Sequence, residues 1–149
     1  MSFVSVISRL FGTYERPSPS NWLPENAVRA WADALPFDKL KVKLSQKPKI
    51  WLPMIPDTNS MDGAFDIGNN NILIAGTTPA DHAKLVGGLE AGDIAVYRTA
   101  RLYAIHRIVQ VGSDNLGKFY RFRGDNNPCA DPDRVRENQV LWVSIGTIY

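Results

Sequence analysis

Two side chains in this sequence could carry acyl-transfer chemistry if the fold joined them. Residues 57–63, DTNSMDG, follow the apolar run IWLPMIP at 50–56 and set Ser60 among residue types that build turns. Ser60 therefore reads either as a turn residue or as a nucleophile. The second role needs a base to take the hydroxyl proton and donors to hold an oxyanion. The sequence has only two histidines, His82 and His106. His82 lies in the polar stretch TTPADHAKLVGG and reads as an exposed bystander. His106 lies in the apolar run YAIHRIV, where burial and neighbouring groups set the protonation of an imidazole. A satisfied core histidine is the alternative reading.

The elements that must position these residues follow from periodicity and punctuation. After the Pro/Ser-rich RPSPSNW at 16–22, the segment PENAVRAWADAL places Val28, Trp31, Ala32 and Leu35 on one helical face, with Pro24 suited to the first turn. KLKVKL at 39–44 alternates with period two and predicts a strand with one wet face. From residue 49 the pattern is nearly all β: KIWLPMI, NILIAG at 71–76, DIAVYRT at 93–99, LYAIHRIVQV at 102–111, KFYRFRG at 118–124 and QVLWVSIGTIY at 139–149. The links AR and GSDNLG predict two successive hairpins. Residues 77–92 and 125–138 read as polar insertions. The expectation is a mainly β chain, with an N-terminal helical segment and linker at 1–48 and a partly closed antiparallel β domain at 49–149.

Composition narrows the function. The 149 residues are 44% apolar and 21% charged, and 17 basic against 15 acidic residues leave a formal charge of +2, which is no nucleic-acid footprint. The single Cys129 cannot form an intramolecular disulfide and has no His/Cys spacing for zinc, so neither a metal nor another cofactor is expected. No apolar run reaches the length of a membrane span, and the N-terminal MSFVSVISRLFG does not fit a secretory signal. A cytoplasmic or otherwise soluble chain is the expectation. Residues 3–11 have helical apolar spacing that suits docking on the domain, or weak association with a membrane surface.

The order of motifs adds a further reading. Ser60-Met61, then Gly68, then GDIAVY at 92–97, IHRIV at 105–109 and GDNN at 124–127 with an acidic residue soon after resembles the type I signal peptidase family over about residues 50–149. The resemblance implies a coiled antiparallel β fold shared with the SOS-repressor type of self-cleaving regulators. It also implies a serine endopeptidase that cuts an extended protein or peptide segment after a small residue. His106, standing before Arg107 and Ile108, marks the histidine-base (archaeal and endoplasmic-reticulum) type rather than the lysine type. Carried onto GDNNPCAD, the same pattern makes Asp125 the acid that orders the loop and Asp131 the third triad member, with Asp133 a nearby competitor. Thr58, two residues before Ser60, occupies the position of an oxyanion-binding hydroxyl. Ile55, Ile72 and Ile74 are expected to wall the substrate cleft, and a histidine base predicts activity that climbs through roughly pH 6–7.5.

Three features depart from that pattern. Gly63 stands where the motif has proline, Asn69 follows Gly68 where the family has Asp, and no anchoring membrane helix is present in the sequence. The alternative from another class is a catalytically silent module on the same fold that binds an extended peptide or regulates a partner.

Overall fold

A computed structural model describes residues 15–149. The expectations for residues 3–11 lie outside them. Seven antiparallel strands form one sheet in the order β1-β2-β7-β3-β4-β5-β6: β1 Lys49–Trp51, β2 Asn70–Ala75, β3 Ile94–Arg98, β4 Tyr103–Asp114, β5 Gly117–Arg123, β6 Val135–Arg136 and β7 Val140–Ile148. Two short helices, α1 at Glu25–Asp33 and α2 at Pro79–Gly87, pack on it. Mainly β architecture is thus what the sequence pattern predicts. Among the described residues no helix is long and apolar enough to cross a membrane.

The main core lies between α2 and one face of the sheet, where Leu85, Val86 and Leu89 meet Ile74, Ala95, Tyr97, Ile108, Tyr120, Phe122 and Val140. Fully burying a Leu, Ile, Val or Phe side chain there stabilises the fold by about 1.5–3 kcal/mol. A satellite cluster forms where Val28 and Ala32 of α1 cover Ile72. Trp31 on the same helix remains half exposed.

Several local expectations are corrected. Residues 39–44 form no strand. A 3-10 turn at Phe37–Lys39 is followed by irregular backbone, although Leu40, Val42 and Leu44 do turn towards the core while the lysines stay in water. The alternation recorded burial, and no neighbouring strand supplies the ladder. KIWLPMI keeps strand pairing only over Lys49–Trp51, because Pro53 and Pro56 lack the N–H a ladder requires. The insertion at 77–92 holds α2, capped by Thr78, whose hydroxyl accepts from the Asp81 N–H at 3.1 Å, with Pro79 in the first turn. His82 is not an exposed bystander. It is half-buried, its Nδ1 accepts from the Gly76 N–H (3.3 Å), and its Nε2 therefore donates to the Val140 carbonyl (2.9 Å), tying α2 to β2 and β7.

Candidate active site

Ser60 opens a turn at 60–64 that is built to be rigid. Asn59, just before it, has φ 59°, a left-handed conformation that asparagine tolerates better than most residues. Just after it, the Phe65 N–H donates to the Met61 carbonyl (3.1 Å), closing one helical turn. Met61 and Phe65, 3% and 1% exposed, pack with Ile55 against Ile94 and Ile105. The nucleophile candidate is thus flanked by an anchored side chain. Two departures from the signal-peptidase pattern find local causes here. Gly63 has φ +89°, which proline cannot adopt. The buried Asn69 amide donates to the Pro19 carbonyl (2.9 Å) and to Asn21 Oδ1 (3.1 Å), while its own Oδ1 accepts from the Asp66 N–H (2.8 Å). An aspartate could do only the accepting half.

His106 sits on β4 opposite Ala95 of β3, and β4 pairs with β5 only from Arg107 onward. At 103–106 that edge of β4 is therefore unpaired with β5, and the turn carrying Ser60 and the loop after β5 converge on it. His106 Nε2 lies 3.1 Å from Ser60 Oγ, and Asp131 Oδ2 lies 2.6 Å from His106 Nδ1. A carboxylate accepts, so Nδ1 carries the proton and Nε2 presents its lone pair to the serine hydroxyl. The His106 and Asp131 side chains are 12% and 17% exposed. Asp131 is held by its N–H, which donates to the Phe122 carbonyl (2.7 Å), and by its own carbonyl, which accepts from Arg121 (3.3 Å). Asp133, the competing acid, is exposed at the surface.

The GDNN stretch clamps the serine turn from the other side. Asp125 accepts two bonds from the Arg107 guanidinium, at 2.8 and 2.6 Å, a paired fork that raises the arginine's affinity for its proton. Arg107 also donates to the Gly92 carbonyl at 2.9 Å. Asn126, which sequence reasoning passed over, donates its backbone N–H to the Ser60 carbonyl and its side-chain amide to the Asn59 carbonyl, both at 2.9 Å. A Cβ on Gly124 would lie 2.5 Å from the Ser60 carbonyl oxygen, so only glycine permits this approach. Both residues belong to the GDNN motif, but their contact with the serine turn exists only in the fold.

Thr58 Oγ1 is 3.3 Å from Ser60 Oγ. Both hydroxyls open onto a cleft of about 400 Å³ whose walls include Trp51, Ile55, Leu73, Val96, Ile105 and His106. Of the three isoleucines expected there only Ile55 contributes. Ile72 faces α1 and Ile74 faces the main core, while Leu73, between them, points into the cleft beside its cross-strand partner Trp51. Sheet burial on both faces of β2 erased the alternation that would have separated them. Met54, Leu102 and Tyr103 on the rim are strongly exposed.

Sequence reasoning also missed Tyr97. This residue of β3, 1% exposed, donates its hydroxyl proton to Asp131 Oδ2 at 2.5 Å. Away from the cleft centre, Glu15, Asp62 and Asp66 bring carboxylate oxygens within 4.8 Å of one another. Burial pushes the Glu15 and Asp62 carboxyls up, and neighbouring carboxylates add to the effect. No protein-family model matches the chain, and no curated protein or solved structure is significantly similar to it.

Proposed function

We propose that this chain is a serine endopeptidase resembling signal peptidases, working through Ser60, His106 and Asp131. One observation carries the reading: an unbroken chain from Ser60 Oγ to His106 Nε2 (3.1 Å) and from His106 Nδ1 to Asp131 Oδ2 (2.6 Å), opening on an apolar cleft. Its chemistry is direct. Ser60 attacks a peptide carbonyl as its proton passes to His106 Nε2, the imidazolium then protonates the departing amine, and water, deprotonated by the same imidazole, releases the acyl group. The Ser60 N–H and the Thr58 hydroxyl are the donors for the oxyanion. Asp131 orients the ring and stabilises its charged form.

The substrate in this reading is an extended peptide. The stretch of β4 at 103–106 that lacks a β5 partner, together with the segment after β1, offers backbone to an added strand, and the apolar walls receive alternate side chains. Cleavage after a small residue is the specificity the resemblance implies. Incubation with a peptide library, read by mass spectrometry beside a Ser60→Ala control, tests it. Cuts following Ala, Gly or Ser that vanish in the control are expected. A strict preference for large or charged residues before the cut would refute the specificity, and binding without any Ser60-dependent cut would favour a silent peptide-binding module.

A further inference from the structure

Asp131 lies on a loop, with its carboxylate within reach of solvent, yet the reaction requires that carboxylate in one rotamer beneath the imidazole. Something other than the loop must hold it. The Oδ2 atom that receives His106 Nδ1 at 2.6 Å also receives the Tyr97 hydroxyl at 2.5 Å. Tyr97 belongs to the sheet rather than to a loop: its register partner on β4 is Ala104, two residues from His106, and its ring stacks on Phe122 with centroids 4.2 Å apart and planes 22° from parallel. Its hydroxyl lies 3.5 Å from His106 Nδ1, so tyrosine, carboxylate and imidazole meet around one oxygen.

We propose that Tyr97 is a positioning residue of this site, whose hydroxyl fixes the Asp131 carboxylate in the rotamer that aims His106 at Ser60. The inference rests on the peptidase reading for its function, but not for its geometry. Phenylalanine would fill the same space and keep the Phe122 stack, so packing does not require the hydroxyl. Burial first, and then the hydrogen bond to Asp131 with the negative charges of Asp131 and Asp133, push the phenol's ionisation far above its ordinary range. Tyr97 is thus a proton donor at every pH where the protein works, and a buried donor leaves a carboxylate little freedom to swing away. Among the described residues, the charged groups shown to act on this cluster are Arg121 from β5, which bonds the Asp131 carbonyl, and Asp133 from the loop, while the neutral Ser60 hydroxyl faces the far side of the His106 ring.

Tyr97→Phe tests the idea with two independent readouts. With a cleaved peptide, kcat should fall about tenfold while KM stays within about twofold, because the lost bond affects the orientation of the base and not the cleft. In an Asp131→Asn background the same substitution should cost nothing further, since Tyr97 acts only through that carboxylate. The second readout needs no turnover. In Ser60→Ala protein, the downfield proton NMR signal of His106 Nδ1–H should shift and exchange faster with water after Tyr97→Phe. In the unsubstituted tyrosine, a slowly exchanging Tyr97 hydroxyl proton close to the His106 ring should disappear on Asp131→Asn, which covers the case of a Phe variant that fails to fold. An unchanged His106 signal, or a kcat loss that persists in full beside Asp131→Asn, overturns the proposal. If the unsubstituted protein cuts no peptide, the peptidase reading falls while the NMR arm still decides the coupling.

Discussion

At the scale of single residues, one serine, one imidazole and one carboxylate meet in a single hydrogen-bonded chain, and under the proposed function that arrangement sets how substitutions combine. Ser60→Ala and His106→Ala should each abolish nearly all turnover with the fold intact, and the double variant should be hardly worse than either alone. Asp131→Asn should cost on the order of 10⁴ in kcat, because an amide in its place favours the wrong tautomer of the ring. Asp133→Asn should leave kcat near its original value. Steady-state kinetics on one peptide separates these cases, and collapse in Asp133→Asn with full activity in Asp131→Asn would mean that the acid is assigned two residues too early. His106 was legible before the fold because the chain has only two histidines and one of them lies in an apolar run, whereas Ser60 and Asp131 were read from the motif order that resembles signal peptidases. Tyr97 was not legible: its relation to Asp131 depends on the β3/β4 register and on where a loop crosses β5, neither of which a local pattern encodes.

At the scale of elements, the serine turn is held by contacts from two sides, the Met61/Phe65 anchor beneath it and the GDNN loop beside it. Gly124→Ala would drive a methyl group against the Ser60 carbonyl. We expect that variant to lose at least about 10²-fold in kcat, the cost of a small misplacement of reacting groups, with the circular dichroism spectrum unchanged. Asp125→Asn weakens a partly exposed ion pair and should lower the thermal midpoint by about 3 °C, with a smaller loss of activity than Gly124→Ala. An unaffected kcat in Gly124→Ala would show that the loop does not set the position of Ser60. Strands β3 to β5 and β7 could be read from β-forming residues and turn signals, and β2 from a short apolar run without alternation. Residues 39–44 misled because alternation reports burial and not pairing, and α2 was overlooked despite Thr78, Pro79 and an apolar set at 85, 86 and 89 that together describe a capped helix.

At the scale of the whole molecule, two carboxylates link stability to acid. Hydrogen bonds from the Ser45 hydroxyl and N–H hold the Asp81 carboxyl below the usual carboxylate range, joining the 41–47 segment to the start of α2. Arg136, with Arg134, does the same for Asp114, which both arginines grip across the β4/β5 hairpin end at 2.8–2.9 Å. A carboxylate with a lowered folded-state pKa contributes stability that is fully present above its unfolded value, near ~3.9, and is lost as pH falls towards the folded one. Urea midpoints should therefore be flat from neutrality to about pH 5 and decline below about pH 4. Asp81→Asn and Asp114→Asn should each lower the neutral midpoint and flatten that decline. A steeper acid decline in either variant would contradict the assignment.

The claim on which the rest depends is that Ser60 is a nucleophile activated by His106. An acylating serine probe, such as a fluorophosphonate, followed by peptide mapping, measures this without knowledge of the substrate. A single modified serine, Ser60, is expected, with labelling lost in His106→Ala and greatly slowed in Asp131→Asn while the thermal midpoint of each variant stays close to that of the parent. Folded protein whose Ser60 resists the probe, or labels equally well without His106, would contradict it.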